Sequence, residues 1–341
     1  MILRRSIFIR ESFKNGLVDY FVIGDGEAAL FAILSSLEGR DNLCLHSDLD
    51  FRTWKDSPSD NAVCIEFPRN MDLDSLPWPD FSQFELSSYV EGTFTLPIMF
   101  SSGCTRNCAF CSDTVISKPY RRRSGINVAN EMLERVRFNG NITTFRLTDI
   151  ALNADLTFMS ELCDNIIAAG LNIHWYGQAQ IKQDMDESLF LKMKKAGCSQ
   201  LSLGVESFSN HVLSLMGKGY TAEAASAFLK ASKEAGIDNH IAIIVGYPGE
   251  TEDDFNETLE GLKRNAKYID NIGSLNVCSL SLGADLRNNF EKYGLFYPPG
   301  SDWATRDFVN TPALRKERYM TMLNRCAELG IPVQGCLDLK K

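Results

Sequence analysis

The sequence predicts an α/β protein whose main body is a partial (βα)6 TIM-like barrel, preceded by a short strand–turn–helix unit and followed by a helical tail. Three observations predict it. From residue 96 onward, short runs of β-branched and aromatic residues alternate with helical stretches, the pattern of parallel βα units. The strand-like runs number six, two short of a closed eightfold barrel. A length of 341 residues with 44% apolar content suffices for a core of that size plus a smaller appendage.

The strand candidates are residues 96–101, 143–147, 173–177, 200–205, 240–245 and 274–280. The helices between them have marked ends. Asp155 opens one that stops at Gly170, and Asp184 opens another that stops at Gly197. Thr221 starts a third, ended by Gly236, and Thr251 with Asp254 makes a capping-box start for a fourth. At the N-terminal side, residues 18–27 read as a strand running into a Gly24-Asp25-Gly26-Glu27 turn, with residues 28–37 as the following helix. The expected division is a first domain over 1–45, a linker over 46–95, the barrel over 96–285 and a C-terminal extension over 286–341. Within that extension, residues 313–329 are amphipathic and predict a helix packed on the barrel.

With 35 basic and 44 acidic residues the net charge is −9, which argues against a nucleic-acid substrate. The one basic run, Tyr120-Arg121-Arg122-Arg123-Ser124, is local and reads as a solvated face. No stretch approaches the ~18–20 unbroken apolar residues that cross a bilayer. The opening Met1-Ile2-Leu3-Arg4-Arg5-Ser6 lacks the apolar core of a signal peptide, and reduced cysteines suit the cytosol, so a cytoplasmic protein is expected.

The most informative segment is Cys104-Thr105-Arg106-Asn107-Cys108-Ala109-Phe110-Cys111. It follows an apolar strand candidate and a Ser101-Ser102-Gly103 turn. Thiolates are soft ligands for iron–sulfur clusters or zinc. A structural zinc site wants a fourth Cys or His at short spacing, and the next candidates, Cys163 and His174, belong to later βα units. Three local thiolates therefore suggest a 4Fe–4S cluster with one iron open to a ligand that is not protein. Zinc, or cysteines that merely line a core, are the alternatives. The remaining seven cysteines are scattered and are read mostly as core fillers.

C-x3-C-x-aromatic-C after a strand, with Phe110 as the aromatic, resembles the signature of radical S-adenosylmethionine (radical SAM) enzymes. The resemblance runs from about residue 19 to about residue 282. It implies the same partial barrel and a cluster on Cys104, Cys108 and Cys111. It also implies SAM chelating the open iron, and reductive cleavage of SAM to a 5′-deoxyadenosyl radical. A one-electron donor such as flavodoxin or ferredoxin, and a small-molecule or peptide substrate, follow from it as well.

Ligands in parallel α/β folds sit at the carboxyl ends of the strands, which selects further candidates. Asp149 could accept hydrogen bonds from the SAM ammonium, or cap a turn. In Gly204-Val205-Glu206-Ser207 an acidic group ends an apolar strand and is costly to bury unless paired. The resemblance implies that Gly204 lets the backbone approach SAM while Glu206, with Ser207, contacts its amino-acid or ribose portion; a salt-bridged structural Glu is the alternative. Gly246 would let adenine lie against the backbone, and Asn276 on the sixth strand would contact adenine, with Cys278 on the same face read as core. Whether Tyr176 and Gln178 face the lumen or the helices depends on register.

The N-terminal unit and the Leu76-Pro77-Trp78-Pro79-Asp80-Phe81 segment are similar to the last βα unit and connector of a Rossmann-like cobalamin domain found ahead of the barrel in one radical SAM subfamily. A corrin needs a larger sheet than the residues before Pro77 supply, so this chain alone is expected to hold cobalamin weakly or not at all. Three functions stay open. One is cobalamin-type C-methylation, and another is hydrogen abstraction without cobalamin, leading to epimerisation, elimination or rearrangement. The third is a non-catalytic iron–sulfur or zinc-binding protein.

Overall fold

The computed structural model describes residues 17, 20–23, 25–39, 50–53, 63–66, 72–85, 95–113, 119–138 and 142–334. The chain divides into two compact units, Met1–Ser75 and Leu76–Lys341. In the first, strand β1 (Tyr20–Ile23) precedes helix α1 (Gly26–Leu37). Gly24 of the expected turn lies outside the described residues. Strands β2 (Asp50–Thr53) and β3 (Val63–Glu66) complete a sheet of order β1-β3-β2, with β1 and β3 parallel and β2 antiparallel to β3. Both β2 and β3 fall within residues 46–95, the expected linker. Runs of four residues are too short for alternation to register in sequence.

The second unit is built on a six-stranded sheet. Its strands and helices run β4 (Thr95–Ile98), β5 (Ser101–Ser102), β6 (Arg121–Arg122), α2 (Gly125–Phe138), β7 (Thr144–Leu147), α3 (Leu156–Ala168), β8 (His174–Ala179) and α4 (Glu187–Lys195). They continue with β9 (Cys198–Glu206), α5 (Asn210–Met216), α6 (Ala222–Glu234), β10 (Asp238–Val245), α7 (Glu252–Asn265) and β11 (Asn271–Val277). The sheet order is β11-β10-β9-β8-β7-β4, every neighbouring pair is parallel, and the sheet is open. β5 and β6 form a separate two-residue ladder. This is the α/β architecture expected from the six strand-like runs.

Strand alternation separates two chemistries. Phe145, Trp175, Leu201, Leu203, Ile241, Ile243 and Leu275 are buried against Met132, Phe158, Phe190, Phe228 and Leu262 of the surrounding helices. The opposite face of the same strands carries Gln178, Gln200, Ser202, His240 and Ser274. Parallel strands buried on both faces are apolar throughout; these alternate, so the inner face presents polar side chains to a cavity rather than forming a packed core.

Helix starts follow local chemistry. Asp155 accepts from the Phe158 amide, Thr221 from Ala224, and Thr251 with Asp254 completes a capping box. The N-cap of α4 is Asp186 rather than Asp184, because the Asp186 carboxylate meets the Leu189 amide at 2.9 Å.

Beyond β11 come a short helix α8 (Asp285–Asn288), a hairpin of β12 (Leu295–Phe296) and β13 (Ala304–Thr305), and helix α9 (Pro312–Glu328). α9 packs on the barrel as expected. Arg318 meets Glu250 at 2.6 Å with both groups buried. Arg315 lies over the Trp303 ring at 3.7 Å and donates to the Trp303 carbonyl at 2.7 Å. The chain then turns at Gly330, and Val333 bridges in parallel to Ile272 on the free edge of β11. The Ile272 amide donates to Pro332 and the Gln334 amide donates back to Ile272. The tail is therefore more than a helix: it caps the edge of β11 with one parallel bridge.

Gly246 locks this tail. Its φ is 71°, and a Cβ there would stand 2.4 Å from Arg315 Cγ. Gly246→Ala is expected to lose ~1–3 kcal/mol from backbone strain alone, and more from the clash, read as a lower urea midpoint.

Candidate active site

The cysteine loop begins where β4 ends, and a buried carboxylate pins that start. Asp149, just after β7, accepts from the Phe100 amide at 3.2 Å, from the Ser101 amide at 2.5 Å and from Ser101 Oγ at 2.6 Å. Burial pushes its carboxyl up to about 6, against the hydrogen bonds from Ser101 and Phe100 that pull it down. Further on, the Ala109 amide donates to Met216, the Leu286 amide donates to Ala109, and the Cys111 amide donates to Cys108. The loop is thus fixed to α5 and α8 at its middle.

Cys104, Cys108 and Cys111 all line one cavity of about 480 Å³, which extends along the inner face of β8 to β11. Among the described residues, no three His, Cys, Asp or Glu side chains converge on a point as ligands of a single ion would. Cysteines around a cubane bind separate irons and need not converge on one point, and all three thiols line the same cavity, which fits a cluster. Burial pushes the Cys108 thiol up while the nearby Lys218 ammonium pulls it down. Gln180 Nε2 donates to Cys104 Sγ at 3.0 Å, and Arg106 Nε donates to Gln180 Oε1 at 3.1 Å.

Opposite the cysteines stands Glu206, in the left-handed region at φ 64°. Lys218 Nζ approaches its Oε1 at 3.2 Å, and both side chains are buried. Burial works against the Lys218 charge, yet Glu206 beside it holds its pKa above the usual lysine value. The ammonium also lies 5.6 Å from the Phe110 ring and 5.8 Å from the Tyr220 ring, within cation–π reach. Tyr220 OH bonds to the carbonyls of Gly204 and Val205 at 2.9 Å. A Cβ on Gly204 would come within 2.5 Å of Glu206 Oε1, so the glycine makes room for the carboxylate to fold back over its own strand.

The cavity therefore brings together Cys104, Cys108, Phe110, Cys111, Gly204 and Glu206 of the expected residues. It leaves four elsewhere. Asp149 accepts from the Phe100 and Ser101 amides, which its carboxylate satisfies where the chain passes from β4 to β5. Ser207 Oγ bonds Thr258 of α7 at 2.7 Å and accepts from the Ser209 amide, which turns it to the helix side. Gly246 makes room for Arg315, and its carbonyl accepts from Asn310. Asn276 sits one step beyond the cavity wall and donates to Ser274 Oγ at 2.5 Å. Cys278 is buried beside Trp303, as a core cysteine.

Register places Gln178 beside Ser202, and Ser202 beside His240, across neighbouring strands, so all three face the lumen. Residues that the sequence did not single out also line it: Arg106, Lys218, Tyr220, Gln200, His240, Ser274 and Gln334. Lys218 lies in Gly217-Lys218-Gly219, which reads as a plain turn. Gln334 arrives only through the tail's return to β11.

An open parallel βα sheet, with three cysteines of one loop at its carboxyl rim and a polar lumen below them, defines the class. Residues 98–262 match the Radical SAM superfamily model, so the chain carries a radical SAM domain. The cofactors of the class are a 4Fe–4S cluster and SAM. Among curated relatives, an uncharacterized methyltransferase of Pyrococcus horikoshii is 25% identical over 72% of this chain and 53% of its own length. A cytidylyl-2-hydroxyethylphosphonate methyltransferase of Streptomyces wedmorensis is 26% identical over 71% of this chain and 48% of its own. This chain spans about half the length of these relatives. The cobalamin-dependent radical SAM enzyme OxsB with aqua-cobalamin bound shares the fold at a TM-score of 0.61 and 16% identity, over 98% of this chain and 52% of that one. The methyltransferase TsrM from Kitasatospora setae shares it at 0.53 and 18%, over 65% and 46%. No helix among the described residues is long and apolar enough to cross a membrane.

Asp149 generates a pH signature. Its folded value of about 6 lies above the ordinary 3.8, so between these the folded state holds a proton that the unfolded state has released. The contribution of this group is most favourable below 3.8, falls as pH rises to about 6, and is constant above. Urea unfolding of the parent and of Asp149→Asn across this range should show a stability difference that follows that window. A difference flat with pH would contradict it.

Proposed function

We propose that this chain cleaves SAM reductively at a 4Fe–4S cluster on Cys104, Cys108 and Cys111, and directs the resulting 5′-deoxyadenosyl radical at a small-molecule or peptide substrate in the lumen. The observation that carries the proposal is the shared cavity: the three thiols and the Glu206–Lys218 pair line the same space. When bound, the cluster supplies one electron to the SAM sulfonium, delivered to the protein by a donor such as flavodoxin or ferredoxin. The residues of this chain bind and orient. Glu206 offers a carboxylate to an ammonium or to ribose hydroxyls, and Lys218 offers an ammonium to a carboxylate, so the pair suits a zwitterionic amino-acid moiety. Further down, Gln178, Gln200, Ser202 and Ser274 offer neutral donors and acceptors, which suits an uncharged polar substrate.

The reaction class is proposed as C-methylation, supported by the methyltransferase names of the two relatives above. Cobalamin would be its methyl carrier, and cobalt content is the discriminator. Hydroxocobalamin retained at about one per chain through gel filtration supports methyl transfer and would overturn the expectation of weak binding by this chain alone; substrate turnover with 5′-deoxyadenosine release in the absence of cobalt favours hydrogen abstraction without cobalamin.

Two variants test the core of the proposal. Replacing all three cysteines by Ala should abolish the sulfur-to-iron absorption; retention of about four irons per chain would refute the assignment. Glu206→Ala should keep the iron and weaken SAM binding roughly tenfold to a hundredfold, as the loss of one charge-assisted hydrogen bond does. Equilibrium dialysis with SAM reads this, and parent-like affinity would count against Glu206 as a ligand.

A further inference from the structure

We propose that Gln180 is a positioning residue that sets the reduction potential of the cluster through an N–H···S hydrogen bond to Cys104. This rests on the cluster assignment above. The geometry leaves the amide one orientation. Asn153, fully buried, holds the Gln180 backbone from both sides, accepting from its amide and donating to its carbonyl at 2.8 Å each. Arg106 Nε then donates to Oε1 at 3.1 Å. A guanidinium has donors only, so the oxygen of the amide must face Arg106 and the NH2 must face away from it. That NH2 meets Cys104 Sγ at 3.0 Å. Arg106 is itself fixed, donating to the Ile181 carbonyl at 2.5 Å and lying 5.1 Å from the Tyr220 ring.

Cys104 Sγ also receives the Arg106 backbone amide at 3.4 Å, so two N–H groups converge on this one thiolate. Hydrogen bonds to cluster sulfur favour the more negative, reduced state and raise the potential. The backbone donor belongs to the loop, whereas the side-chain donor is a choice of residue. A glutamate or an apolar group at position 180 would fill similar space without the N–H. The long reach of Arg106 back to Gln180 and Ile181 thus has a function: it orients the donor that makes the cluster easier to charge with one electron.

The experiment is an EPR-monitored dithionite titration of the reconstituted full chain, with iron and sulfide counted in each sample. Gln180→Leu, loaded like the parent, should shift the one-electron equilibrium severalfold to tenfold against reduction, tenfold being about 59 mV. Gln180→Glu keeps the acceptor for Arg106, lacks the donor and adds a negative charge, and should shift further in the same direction; if the Leu variant loads poorly, the nitrogen coupling of the parent decides. A readout on the parent needs no variant: with 15N in the glutamine side chains, pulsed EPR of the reduced cluster should show a 15N coupling. One-electron equilibria within about twofold of the parent in the loaded variants, or no 15N coupling, would overturn the proposal while leaving the cluster assignment standing. A parent that assembles no cluster would sink both.

Discussion

The rest of the site depends on the buried ion pair between Glu206 and Lys218. Two charges removed from water cost several kcal/mol each, and only close contact with further polar or aromatic partners offsets that. Here the contact draws three segments together. β9 ends at Glu206, the turn after α5 brings Lys218 and Tyr220, and the cysteine loop brings Phe110 to the same ammonium. The strained φ of Glu206, and the missing Cβ at Gly204, are the local conditions for the carboxylate to turn back toward that point. The cysteines therefore share their cavity with a strand end where a carboxylate and an ammonium stand side by side.

Polarity inside the sheet has the same logic. A closed eightfold barrel fills its interior with branched apolar side chains. This sheet is open and carries glutamines and serines inward, so its stability comes from the outer face, where Trp175, Phe145, Leu201 and Ile243 meet the helices. Division of labour follows from the two-residue period alone. One face of each strand holds the fold, and the other is left for ligands.

What was legible in the sequence is what is local. The cysteine spacing, the helix caps at Asp155, Thr221 and Thr251, and the strand alternation are encoded within a few residues, and the structure shows each. Glu206 was legible because an acidic group at the end of an apolar strand demands a partner, although the partner itself, Lys218, was not. Asp149, Ser207 and Gly246 sit at strand ends like ligands, but each serves a distant piece of chain: the Phe100–Ser101 backbone, Thr258 and Arg315. Nothing within a strand end tells whether its polar group turns to the lumen or to the neighbouring helix. Asp184 was displaced by Asp186 for a smaller reason, a two-residue shift in which carboxylate reaches the free amide.

The tail shows how far such long-range choices carry. Arg318 must bury its guanidinium to bring α9 onto the sheet, and Glu250 balances it while also accepting from the Gly246 amide. Burial pushes the Glu250 carboxyl up while the Arg318 guanidinium and the Gly246 amide pull it down. Arg315 adds a second anchor on Trp303 and Asn310. With α9 fixed at these points, the chain emerging at Gly330 is aimed along β11, where Val333 pairs with Ile272 and Gln334 enters the cavity wall. The lower end of the lumen is thus completed by the last described residue of the chain, and its shape is set by arginines that never touch it.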